Sequence, residues 1–164
     1  SPDGLLLASA DAGNLLEAGE IKFWSVKDKG VFAALKGHQF DVKTITFSSN
    51  GRVLVSGGSL LGELKFWSVT DKAVITSLPI YTDAVNTCIL APNGLTLFSA
   101  SSDQSVKLWS IADNVELDSW EFNDWMHSVT FSADGQMLAS VPMNFWGTNK
   151  LCYGQSPKRL QSGF

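Results

Sequence analysis

Cysteine and histidine are scarce in this chain: Cys88, Cys152, His38 and His127 are the full set among 164 residues. Two cysteines, both at positions that read as strand, argue against a disulfide framework and are expected to be small buried hydrophobes. No grouping of His, Cys, Asp and Glu has metal-ligand spacing, so neither a metal nor a cofactor is expected. Charge is sparse too, at 17% of residues. Sixteen acids against twelve Lys and Arg leave a net −4 with no basic run. That balance argues against nucleic acid as a partner, because binding it needs clustered cations. No apolar run approaches the ~18–20 residues of a helical membrane span, so no membrane partner is expected.

Catalytic patterns are missing as well. The glycine-rich stretch Gly57-Gly58-Ser59-Leu60-Leu61-Gly62 lacks the lysine of a phosphate loop, and no serine sits in a nucleophile elbow. Asp3, Asp134, Asn50 and Asn93 each precede a glycine and read as turn residues rather than paired acids. The expectation is a chain that is not an enzyme. The opening Ser1-Pro2-Asp3-Gly4 has no initiator Met and no signal-peptide layout. It reads as a chain entered in mid-repeat. The lack of a disulfide framework suits a reducing compartment, so a cytoplasmic location is expected.

What the sequence does have is a repeat. Trp24, Trp67 and Trp109 recur at intervals of 43 and 42 residues, each closing an apolar-Lys-apolar run, and Cys152 takes the fourth place. The turns Asp3-Gly4, Asn50-Gly51, Asn93-Gly94 and Asp134-Gly135 repeat in step, with serine five residues after each glycine (Ser9, Ser56, Ser99, Ser140). Short alternating apolar stretches lie between the turn signals, which predicts several strands per unit. A period of ~40–45 residues with short strands is the signature of propeller blades.

On these residues, with Gly37-His38 and Pro92-Asn93-Gly94, the chain resembles the WD-repeat β-propeller family along essentially its whole length. The resemblance implies an all-β fold of four-stranded antiparallel blades, strand a innermost and d outermost, with the tryptophan on strand c. The family's aspartate after tryptophan is replaced by Ser25, Ser68 and Ser110. Four blades are expected: 1–35 without strand a, 36–78, 79–120, and 121–164 with a weak tail. They read as part of a larger propeller, seven blades being one of the sizes open. The family's buried hydrogen-bond set joins a histidine, a serine, a b–c aspartate and the tryptophan, and it transfers only in pieces. These are Ser9 and Trp24 in blade one, His38, Ser56 and Trp67 in blade two, and Ser99, Asp103 and Trp109 in blade three. No blade is expected to complete the set. Tyr81 and Phe122 stand where blade two has His38.

Repeat-to-repeat variation marks the expected binding surface. The b–c connections vary, at 20, 16, 15 and 17 residues from turn glycine to the tryptophan position, and they share a face with the d–a connections. Aromatics and acids that read as exposed there are Phe40, Asp41, Tyr81, Asp83, Asp124, Trp125, Phe145 and Trp146. The resemblance and this pattern imply a non-catalytic scaffold for a protein or peptide partner. Two alternatives stay open: a regulatory module of a larger signalling protein, and a propeller enzyme whose catalytic residues lie elsewhere. The repeated Lys22, Lys65, Lys107 and Lys150 are expected to lay their stems on the neighbouring sheet with their heads in water.

Overall fold

Fifteen strands order the computed structural model, which describes all residues except 12–17, 92, 114, 133–136, 144–151, 156–158 and 163–164. The first sheet is β1 (Leu6–Ala10), β2 (Glu20–Ser25) and β3 (Gly30–Lys36). The second is β4 (Val42–Phe47), β5 (Val53–Gly58), β6 (Glu63–Ser68) and β7 (Ala73–Pro79). The third is β8 (Val85–Leu90), β9 (Thr96–Ser101), β10 (Ser105–Ser110) and β11 (Val115–Glu121). The fourth is β12 (Trp125–Phe131), β13 (Met137–Met143), β14 (Cys152–Gln155) and β15 (Arg159–Ser162). Every pairing is antiparallel between strands consecutive in sequence. This is the all-β, blade-forming architecture that the repeat predicts. The chain divides into two compact units, Ser1–Val85 and Asn86–Phe164.

The turns follow from their residues. Gly4, Gly51 and Gly94 all adopt φ near +70°. The preceding Asp3, Asn50 and Asn93 each accept a hydrogen bond from the backbone N–H two residues on, the Asx turn that makes Asx-Gly so effective a reversal. The serines that replace the family's aspartate fold the next turn. Ser25, Ser68 and Ser110 donate to Asp28, Asp71 and Asp113 at 2.6–2.7 Å and accept those residues' N–H groups.

Each unit has its own core. In the first, Ile21, Phe23, Leu35, Val42, Leu54 and Trp67 are buried together, and Phe23 stacks on Phe47 at 5.9 Å. In the second, Phe98, Ala100, Val106, Leu108, Met126 and Val129 form the cluster, with Phe98 edge-on to Phe131 at 5.0 Å. Cys88 is buried on β8, as a small hydrophobe would be.

A bulge recurs beside each tryptophan. Opposite the Phe23/Trp24, Phe66/Trp67 and Leu108/Trp109 steps the outer strand skips one residue: Phe32, Ile75 and Leu117. All three are half exposed or more. The outer strands β3, β7 and β11 are sheet edges, and a bulge adds twist that makes an edge a poor template for another strand.

Candidate functional site

The buried polar centre of the second sheet is built by two strands and a loop. Ser56 on β5 faces Trp67 on β6, and the d–a loop before β4 brings His38 over both. Trp67 Nε1–H donates to Ser56 Oγ at 2.7 Å, and Ser56 Oγ lies 2.6 Å from His38 Nε2. Nε2 accepts the Ser56 hydroxyl proton because the neutral imidazole carries its own proton on Nδ1, toward a carboxylate that can only accept. Nδ1 points at Glu63 Oε2, 3.3 Å away. Glu63 Oε1 in turn accepts from Lys65 Nζ at 2.6 Å and from Ser77 Oγ at 2.5 Å.

This corrects the expectation that no blade completes its set. A carboxylate is present, supplied by Glu63 at the start of β6 instead of by an aspartate in the loop. Glutamate's extra methylene reaches the imidazole from the strand. Lys65 is a second correction: it is 7% exposed, with its ammonium held by Glu63 and Ser77 rather than by water. Lys22 and Lys107 sit near carboxylates at the surface, 3.2 Å from Glu20 and 2.8 Å from Glu116. Lys150 lies outside the described residues.

Hydroxyl, imidazole and carboxylate in this order resemble the relay of a serine hydrolase. Here the hydroxyl is fully buried and already accepts the indole proton. A nucleophile must meet its substrate, so the relay is structural. Burial pushes the His38 imidazole down to about 4, outweighing the pull of the Glu63 carboxylate, and Lys65 pushes in the same direction. Burial pushes Glu63 upward, but hydrogen bonds from Lys65 and Ser77 leave it below its ordinary value. His38 is therefore neutral at pH 7. The unfolded chain binds more protons than the folded one once pH drops below the ordinary histidine value. Stability contributed here is full above pH ~6.5 and is lost as pH falls toward 4, by roughly 3 kcal/mol for a shift of this size. Urea unfolding between pH 7.5 and 5 should show that decline, and His38→Tyr should flatten it.

The other sheets are less complete. In the first, Trp24 Nε1–H donates to Ser9 Oγ at 2.8 Å. In the third, Tyr81 replaces the histidine and the Trp109 indole N–H is buried with no partner among the described residues. Asp103 accepts from Ser105 N–H and Oγ–H, ordering the β9–β10 turn. Ser140 on β13 donates to the Ser128 carbonyl. His127, exposed on β12, is the residue skipped by a bulge, as Lys43 is on β4.

The loops that should carry binding are tied to each other by backbone hydrogen bonds. Gly19 N–H donates to the Phe40 carbonyl, Ser59 N–H to Asp41, Ile80 and Tyr81 N–H to Gly62, and Phe122 N–H to Gln104. The b–c and d–a connections therefore meet within each unit, as the blade layout requires. Gly19 and Gly62 permit the approach: a Cβ at either would overlap the backbone of Phe40 or Tyr81.

Of the predicted surface residues, Phe40, Asp41 and Asp124 are half-buried, and Asp83 is exposed with its carboxylate accepting the Ala84 N–H at 2.6 Å. Tyr81 is 6% exposed, correcting its reading as an exposed aromatic; it fills the histidine's place against Gly62. Trp125 is 46% exposed, on the first residue of β12 rather than in a loop. Phe145 and Trp146 lie outside the described residues. Sequence reasoning passed over Leu60 and Leu61, 49% and 56% exposed on the β5–β6 loop. Two leucines inside a glycine-rich loop were the signal available.

The family model for the WD domain, G-beta repeat, matches residues 30–68 and 72–110. Those two stretches are WD repeats. Each matched repeat starts on the outermost strand of one sheet and ends on the tryptophan strand of the next, β3 through β6 and β7 through β10. No curated protein sequence matches the chain. Among solved structures, the crystal structure of RRP9 WD40 repeats is similar at a TM-score of 0.83 and 19% identity over 98% of this chain. The chain spans 48% of that structure's length, and at this identity the likeness shows the fold. WD repeats generally mediate protein–protein interaction, and their fold is typically non-catalytic.

Proposed function

We propose that this WD-repeat chain is a non-catalytic scaffold that binds a protein or peptide through its joined b–c and d–a loops. The observation that carries this reading is the pair of exposed leucines, Leu60 and Leu61, on a loop pinned by backbone hydrogen bonds at both ends. Apolar anchors on a pre-ordered loop supply binding energy without a large ordering cost. The buried Ser56 relay gives an enzyme reading no accessible nucleophile in its support.

In the second unit the corresponding anchor is Trp125, with Asp124 beside it. Trp125→Ala should weaken partner capture by tenfold or more, as hot-spot aromatics do, while the thermal midpoint holds, because the residue is about half exposed at the start of its strand. Capture can be read with a displayed peptide library and the midpoint by scanning calorimetry. Unfolding of the variant, or unchanged capture, would remove Trp125 from the surface.

A further inference from the structure

Leu61 stands at φ +69°, a left-handed backbone that leucine rarely adopts, and its side chain is more than half exposed. Neither feature helps the sheet. Asparagine or glycine would make the turn with less strain, and a leucine exposed over more than half of its surface buries little. Strain held at an exposed apolar residue is an observation that runs toward function.

The loop's two pins decide what surrounds the leucines. Ser59 N–H bonds the Asp41 carbonyl at 2.8 Å, which places the Asp41 segment immediately before Leu60. The Gly62 carbonyl accepts from Ile80 and Tyr81 at 3.2 and 3.1 Å, which places the segment carrying Asp83 immediately after Leu61. Glu63 follows in sequence, and Lys65 is withdrawn into the sheet interior on Glu63 and Ser77. Lys43, exposed on β4, is the cation on the Asp41 segment and leaves the balance acidic. An apolar tip is thus bordered on both sides by carboxylate-bearing strands of chain.

We infer that Leu60 and Leu61 anchor a polypeptide segment in which apolar side chains are flanked by Lys or Arg. This rests on the protein-binding reading above and gives it a partner class. The apolar residues cover the leucines, and the flanking cations meet Asp41 and Asp83, which set register and encounter rate more than affinity.

The test is selection of a displayed library of random short peptides on the immobilised chain. Enriched peptides should carry Leu, Met or Phe with Lys or Arg on both sides. They should bind the Leu60→Ser/Leu61→Gly variant at least tenfold more weakly, in line with the loss of a hot-spot anchor. Asp41→Asn/Asp83→Asn should weaken binding and flatten its salt dependence, while the amide side chain introduced by the second substitution keeps the oxygen that caps Ala84. Leu61→Gly alone should leave the thermal midpoint unchanged or raised, since glycine accepts this φ. A lowered midpoint would make the leucine structural and overturn the inference. Enriched peptides that lack cations, or bind the leucine variant as well as the parent, overturn it while leaving the scaffold reading standing. No enrichment at all overturns both. Self-association abolished by Leu60→Ser would assign the tip to a second copy and also overturn it.

Discussion

Ser56→Ala should lower the unfolding free energy by about 3–5 kcal/mol, a large loss for deleting one oxygen. Serine here serves two buried groups. Its oxygen accepts the Trp67 indole N–H and its proton goes to His38 Nε2. Alanine leaves both unpaired in a buried site, and each stranded group costs roughly 1–3 kcal/mol. A matched pair isolates the hydrogen bond from the packing. Trp67→Phe and Trp109→Phe remove the same volume, but of the two only Trp67 donates to a partner among the described residues. Trp67→Phe should be the costlier by about 1–2 kcal/mol, measured by urea denaturation. Equal losses would mean that the network of the second sheet adds nothing beyond its packing.

Gly62→Ala is expected to cost about 3–5 kcal/mol, for a reason that is steric first and conformational second. A Cβ there would overlap the Tyr81 carbonyl carbon and oxygen, at a φ of +54°. The loop must move away, and the two bonds from Ile80 and Tyr81 to the Gly62 carbonyl are lost with it. Gly4→Ala is the control. It shares a positive φ, +73°, but has no neighbour within 4 Å of the added atom. It should cost only the left-handed penalty of about 1–2 kcal/mol. If the two variants unfold at the same denaturant concentration, the clamp between the b–c and d–a loops is not a source of stability.

The Asx-Gly turns, the strands and the tryptophan positions were legible because they depend on local chemistry and a fixed period. The candidate site was legible only in outline. The blade layout implied that b–c and d–a loops meet, and the backbone bonds from Ser59 to Asp41 and from Tyr81 to Gly62 carry that meeting. Which aromatics face water was not readable. Tyr81 and Trp125 look alike in sequence, yet one replaces a buried histidine and the other opens a strand with its ring half exposed.

By itself, then, the sequence determined a repeated four-strand unit, its turns, and the positions where one copy departs from another. Periodicity of 42–43 residues and Asx-Gly pairs act within a few residues of themselves, so no long-range information is needed. Only the tertiary structure decided that Glu63 completes the His38, Ser56 and Trp67 set, that Lys65 is buried, and that Leu60 and Leu61 are held outward. Each of these depends on which side chain reaches across from a neighbouring strand or loop. That is a matter of a methylene's length and a backbone angle, and neither is written in the spacing of the residues.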